Sequence, residues 1–218
     1  MGKNILVVAA TAKEIEPFLK AFRKNAGLLA GHTIDVLISG VGLTAATYHL
    51  TRQVLLKRPA LIIQAGLAGS FDKNIALGSV VAVKQDCIAD ESVIEAKKLQ
   101  TVFDLRLASR NQPPYSGGWL INKSRELDKI KLKKVRSVSV NHISSSKTMI
   151  ELYMNKFNPA IESMEGAALH YVCISENIPF IQLRSTSNYI GERNKKNWKM
   201  KEAITNLNTE LIQLVKQL

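Results

Sequence analysis

Cysteine is nearly absent from this chain: 218 residues carry only two, Cys87 and Cys173. They lie far apart and in no C-x-x-C arrangement, so neither a disulfide framework nor a zinc site is expected, and Cys173 reads as a small core residue. No apolar run approaches the roughly 20 residues that cross a bilayer. The first apolar run, Ile5–Ala10, is too short for a secretory h-region, which makes a cytoplasmic location the expectation and no membrane partner. Aromatic residues are scarce at 6% and are not interleaved with basic ones. With no zinc-finger or RNP-type signature either, nucleic acid is not an expected partner. A full G-x-G-x-x-G is also missing: Gly40-Val41-Gly42 is followed by Ala45 where the third glycine would stand. The expectation is therefore of no dinucleotide, no other cofactor and no metal.

Acidic residues are the minority, 18 against 30 Lys and Arg, for a net charge of +12. The excess is local. Residues 95–136 hold eleven basic and four acidic side chains, and residues 192–201 hold five and one. A solvated basic face accounts for such bias; attraction of an anionic small substrate is the alternative.

What is present alternates strands and helices in one domain, 1–218. Apolar, β-branched runs at Asn4–Ala10, Ile34–Ser39, Ala60–Ala65, Ser79–Val83, Val135–Val140 and Ile178–Leu183 read as strands. Helical spacing of apolar residues predicts helices over Ala12–Lys24, Thr44–Lys57, Glu165–Glu176 and Met200–Lys216. Repeated strand–glycine–helix units predict an α/β three-layer sandwich, with a central, mostly parallel or mixed twisted sheet flanked by helices and chemistry at the carboxyl ends of its strands. Residues 92–135, with Pro113-Pro114 and Gly117-Gly118, read as an irregular elaboration within the domain.

Gly40-Val41-Gly42 reads as a tight turn serving the fold. Gly66-Leu67-Ala68-Gly69 follows a buried strand directly, and its small residues would let a ligand approach backbone N–H groups. A phosphate site there would call for an Arg or Ser beside the amides. The sequence offers Gln64, Leu67 and Ser70, and the absence of charge there weighs against an inorganic phosphate co-substrate.

Five segments, in order, resemble the purine nucleoside phosphorylase and methylthioadenosine/adenosylhomocysteine nucleosidase superfamily. They are Ala10-Thr11-Ala12-Lys13-Glu14, Ser39–Ala46, Pro59–Gly69, Leu77–Val81 and Ser163-Met164-Glu165-Gly166-Ala167-Ala168. The resemblance spares mainly 92–135. It implies cleavage of the N-ribosidic bond of a small-molecule nucleoside in a homo-oligomer, a dimer or larger. Glu165 would accept hydrogen bonds from the ribose hydroxyls, and its charge would favour an oxocarbenium-like transition state. Its bland reading is a first-turn carboxylate at a helix N-terminus. Met164 would floor the sugar, or pack in the core. Glu14 would orient and deprotonate the attacking water, with Glu16 near enough to be mistaken for it. Gly66, Leu67 and Ala68 would line the ligand.

Asn188 bears on the base. A 6-aminopurine shows a donor beside the N7 acceptor and suits a protonated acid. A 6-oxopurine shows two acceptors, O6 and N7, and suits the two N–H donors of an amide. Adenine-releasing members of the superfamily carry Asp where this chain has Asn, and the run Ser187–Trp198 resembles the hypoxanthine-releasing branch. A 6-oxopurine substrate is expected, with adenine release and phosphorolysis as alternatives and, outside the enzymes, a basic nucleic-acid-binding protein. Asn188 reads otherwise as a turn residue after a strand. Arg193 would meet the base or an acidic part of the ligand, or belong to the solvated basic run. Tyr189 is a packing residue or a stacking one.

Overall fold

The structure is a computed structural model that describes residues 2–24 and 31–218. The end of the helix expected over Ala12–Lys24 is described only as far as Lys24.

A mixed eight-stranded sheet carries the fold, with helices on both sides. The strands are β1 (Asn4–Ala9), β2 (Thr33–Ile38), β3 (Leu61–Ser70), β4 (Val80–Asp86), β7 (Leu120–Ile121), β8 (Lys134–Ser139), β9 (Ile161–Ser163) and β10 (Phe180–Tyr189). β5 (Ser92–Glu95) and β6 (Lys98–Thr101) form a separate antiparallel pair inside the 92–135 stretch. The helices are α1 (Glu16–Lys24), α2 (Leu43–Leu56), α3 (Arg125–Asp128), α4 (Lys147–Phe157), α5 (Gly166–Ser175) and α6 (Met200–Gln217).

The hydrophobic alternation of β1 explains the layering. Ile5, Val7 and Ala9 pack into one core cluster with Phe18 of α1 and Leu207, Leu211 and Val215 of α6. Leu6 and Val8 point the other way, onto Leu50 and Val54 of α2 and Leu169 and Val172 of α5. A strand buried on both faces reads as a continuous apolar run, as this one does.

Half of the sheet curls shut. β3 pairs in parallel with β1 through Leu61–Gln64, and its far end, Gly69 and Ser70, pairs antiparallel with β9. On its other side it runs parallel to β10 along nearly its whole length. Since β10 also pairs with β4, β4 with β8 and β8 with β9, these five strands close a ring, from which β1 and β2 extend.

Two expectations are corrected by this pairing. β3 does not stop at Ala65; Gly66-Leu67-Ala68-Gly69 lies within the strand, held there by Arg184 to Asn188 of β10. β10 likewise runs on from Leu183 to Tyr189, so Asn188 is a strand residue and not a turn residue. α1 starts later than expected, and Glu14 sits in the turn before it.

Among the described residues, no helix is long and apolar enough to cross a membrane, and no group of three or more His, Cys, Asp or Glu side chains could hold a metal ion. Both cysteines are free and buried.

Candidate active site

Strand carboxyl ends and two turns surround a cavity of about 310 Å³. Glu14, Leu67, Ala68, Met164, Glu165, Asn188 and Arg193 all line it. Gly66 does not. A Cβ on Gly66 would stand 2.3 Å from Arg184 Nη1 and 3.2 Å from Glu14 Oε1. The missing side chain makes room for a guanidinium, not for a ligand.

Glu14 is held by its neighbours. Its Oε2 accepts from the Thr11 N–H at 2.9 Å and the Thr11 hydroxyl at 3.1 Å, while its Oε1 accepts from the Leu67 N–H at 3.1 Å. Behind it, the buried Asn208 of α6 donates to the Glu14 carbonyl at 2.8 Å and accepts from the Phe18 N–H at 3.0 Å. A carboxylate offers about four lone-pair sites. Three are taken, and one remains for a water molecule.

Glu165 stands at the N-cap position of α5 but does not cap it. Its Oε1 accepts from the Gly42 N–H at 3.2 Å, and its Oε2 faces Arg184 Nη1 at 3.4 Å. The same count leaves Glu165 two free acceptor sites, which suits the two adjacent hydroxyls of a ribose. The Gly40-Val41-Gly42 turn thus reaches the carboxylate besides serving the fold. Gly42, at φ 89°, adopts a conformation that favours glycine.

Arg184 was not foreseen. It is 1% exposed, it donates to Gln64 Oε1 at 2.9 Å and to the Leu67 carbonyl at 3.3 Å, and it pairs with Glu165. The expectation of no cation beside the glycine segment is therefore corrected: a guanidinium lies against Gly66, supplied by the neighbouring strand. A signal existed. Gln182 and Arg184 alternate with Ile181 and Leu183, and a charged residue within a buried strand calls for a partner. Nothing in the spacing names that partner.

The end of the cavity at Asn188 is set by β10. Ser187 Oγ donates to Asn188 Oδ1 at 2.9 Å, and Asn188 Nδ2 donates to the Tyr189 carbonyl at 3.1 Å. Across the sheet, Asn188, Gly69 and Glu162 stand in register on β10, β3 and β9. Glu162 was also missed. It lines the cavity, accepts from both the N–H and the hydroxyl of Ser144, and has its pKa raised by burial. Tyr189 turns away, its hydroxyl donating to the Ile75 carbonyl at 3.2 Å. Trp198 supplies the aromatic ring of the lining, with its Nε1–H donating to the Glu192 carbonyl at 3.0 Å.

The chain is 28% identical over 197 residues to a futalosine hydrolase of Thermus thermophilus, covering 89% of this chain and 85% of that one. It is 26% identical over 212 residues to a 5′-methylthioadenosine/S-adenosylhomocysteine nucleosidase of Buchnera aphidicola, covering 93% and 86%. Its fold matches a Helicobacter pylori 5′-methylthioadenosine/S-adenosylhomocysteine nucleosidase with a TM-score of 0.81 at 20% identity, covering 100% of both chains. It also matches the futalosine hydrolase of Helicobacter pylori with a TM-score of 0.79 at 20% identity, covering 99% of this chain and 98% of that one. The family model of the phosphorylase superfamily matches residues 1–218, and the chain belongs to that superfamily as an enzyme related to its nucleosidases.

Proposed function

We propose that this enzyme hydrolyses the N-ribosidic bond of a 6-oxopurine nucleoside, with futalosine as substrate and dehypoxanthinyl futalosine and hypoxanthine as products. The observation that carries the reading is the division of labour between the two carboxylates: Glu14 has one acceptor site left and Glu165 has two. Glu14 would take a proton from the attacking water, and Glu165 would hold the ribose hydroxyls. As the bond to the base breaks, positive charge grows on the sugar. The Arg184 guanidinium pairs with Glu165 and lies beside Glu14 as well, so the two carboxylates share one cation and keep a net negative charge to face the sugar. Hydrolysis is preferred to phosphorolysis because the guanidinium beside Gly66 is committed to Glu165, Gln64 and the Leu67 carbonyl.

The base is argued from Asn188. One N–H of its amide is held by the Tyr189 carbonyl, and the other is left to donate to O6 or N7 of hypoxanthine, both of them acceptors. Arg193 lies on the cavity lining, and Lys195, Lys196, Lys199 and Lys201 follow it in the chain. The Arg193 guanidinium suits a substrate with a carboxylate beyond its ribose, as futalosine carries on its benzoate. The similarity to a futalosine hydrolase over 89% of the chain supports the same substrate. Adenine release is the second reading, supported by the similarity to adenine-linked nucleosidases. A homo-oligomer goes with the proposal; Val41, Tyr48 and Ile143 are large apolar side chains left exposed on one copy.

The test is a panel of futalosine, inosine, methylthioadenosine and adenosylhomocysteine in phosphate-free buffer, with the released base identified by chromatography. Hypoxanthine release from futalosine is expected; a strict need for phosphate, or adenine release alone, would sink the proposal. In Asn188→Asp, turnover of the 6-oxopurine should fall by about tenfold to a hundredfold, because an ionised carboxylate faces O6 where an N–H donor is wanted. An unchanged rate would remove Asn188 from base recognition.

A further inference from the structure

Five buried polar atoms without a hydrogen-bond partner belong to one cluster behind Glu165: Asp86 Oδ2, His170 Nε2, Gln182 Nε2 and Oε1, and Arg184 Nε. The four residues come from β4, α5 and β10, and each is at most 1% exposed. Such a gathering is unusual, since buried polar groups are almost always paired.

The atoms are complementary. His170 Nδ1 lies 2.9 Å from the Leu120 carbonyl, an acceptor, so Nδ1 carries the proton and Nε2 is left as an acceptor. Burial holds the His170 pKa down, to about 4, which keeps this neutral form. The acceptors are then His170 Nε2, Asp86 Oδ2 and Gln182 Oε1. The hydrogens are two on Gln182 Nε2 and one on Arg184 Nε. Three hydrogens meet three acceptors. Proximity agrees: Asp86 Oδ2 and Gln182 Nε2 stand 2.2 and 2.3 Å from the point where a Cβ on Gly166 would be. Gln182 and Arg184, two apart on β10, project to the same face.

We propose that Gln182 is the junction of a buried relay in which its amide donates to Asp86 and His170 and accepts from Arg184 Nε, making Asp86 and Gln182 positioning residues for the Arg184–Glu165 pair. The relay also holds the start of α5. The Ala167 N–H donates to Ser139 Oγ at 2.8 Å, and that hydroxyl donates to Asp86 Oδ1 at 3.0 Å. Asp86 thereby does, through Ser139, the capping that Glu165 at the N-cap position leaves undone.

The relay depends on Asp86 remaining an acceptor. Protonation would turn Oδ2 into a donor, and the Gln182 amide would have to present Oε1 to it, withdrawing the acceptor from Arg184. Burial raises the Asp86 pKa to about 6. The charged and titratable groups around it are Arg184 from β10, His170 from α5 and the adjoining Cys87 thiol, while β8 offers the hydroxyls of Ser137 and Ser139 and, acting on Cys87, the Arg136 guanidinium. The expected direction follows: turnover falls as pH drops through about 6 and the carboxylate is lost.

The test is Asp86→Asn, assayed on whichever nucleoside the wild-type enzyme cleaves. Asn places a permanent donor where the protonated acid would have one. We expect kcat to fall by about tenfold to a hundredfold near neutral pH, KM to change little, and the acid limb near pH 6 to disappear. Wild-type kcat, or a lower kcat that keeps the wild-type limb, would overturn the relay. Should circular dichroism show Asp86→Asn unfolded, Gln182→Met replaces it, and retention of the limb there overturns the proposal equally. Independently of turnover, the Arg184 Nε–H nitrogen-15 resonance should be protected from exchange near neutral pH and lose protection below about pH 6. Rapid exchange at neutral pH would count against the relay. The proposal rests on Glu165 serving the ribose. A fully active Glu165→Gln defeats that reading, whereas an inactive Glu165→Gln beside an unaltered Asp86→Asn defeats the relay alone.

Discussion

Glu14→Gln is expected to lose about 10²- to 10⁴-fold in kcat while keeping its fold. Glutamine keeps the shape of glutamate and one acceptor oxygen, so one of the two anchors, Thr11 or the Leu67 N–H, can still be met. The turn is also fixed from behind by Asn208, whose bonds to the Glu14 carbonyl and the Phe18 N–H do not involve the carboxylate. What disappears is the remaining basic site and the negative charge beside the sugar. Single-turnover kinetics with thermal unfolding checks both halves of the statement. A variant within a few-fold of wild-type turnover would take Glu14 out of the mechanism.

Glu165→Gln should cost both rate and stability. Two neutral hydrogen bonds to the ribose replace two charge-assisted ones, and the anion is gone from the sugar face, which together lower kcat by about 10²- to 10³-fold. In addition, Arg184 is stranded: its side chain is 1% exposed and Glu165 is its only salt-bridge partner among the described residues. Breaking a buried pair from one side costs about 3–5 kcal/mol. In a chain of this size that lowers Tm by on the order of 10 °C. Differential scanning calorimetry reads the loss directly. An unchanged Tm would mean that Arg184 does not depend on Glu165, and an unchanged kcat would remove Glu165 from the ribose.

The layering of the fold was legible because β1 and α6 carry their patterns openly: apolar residues throughout one, helical spacing along the other. β9 was not legible. Three residues, Ile161–Ser163, are too few to show alternation, and the strand exists because β8 and β3 accept it on either side. α4 carries a local start signal in Ser146, which caps it by accepting from the Met149 N–H. The glycines of β3 suggested a loop, but pairing with β10 overrides local preference.

The site divides in the same way. Glu14, Glu165 and Asn188 stood in segments that resemble a family. Arg184 could be suspected as a buried charge, yet its contacts with Gln64 and Glu165 span 120 and 19 residues of sequence. Glu162 of β9 meets Ser144 of the loop before α4, 18 residues away, a contact that no local pattern announces.

The closed ring of five strands also sets an order of assembly. β10 is the last strand in the chain, and it lies between β3 and β4, which are adjacent in sequence but reach each other through it. Until residues 180–189 have left the ribosome, β3 and β4 each keep an unpaired edge, a template for wrong partners. The same ten residues bring Arg184 and Asn188. Closing the barrel and completing the candidate site are therefore one late event, delayed by loop closure over more than a hundred residues. A chain released before that point would be not a weak enzyme but an aggregation-prone one.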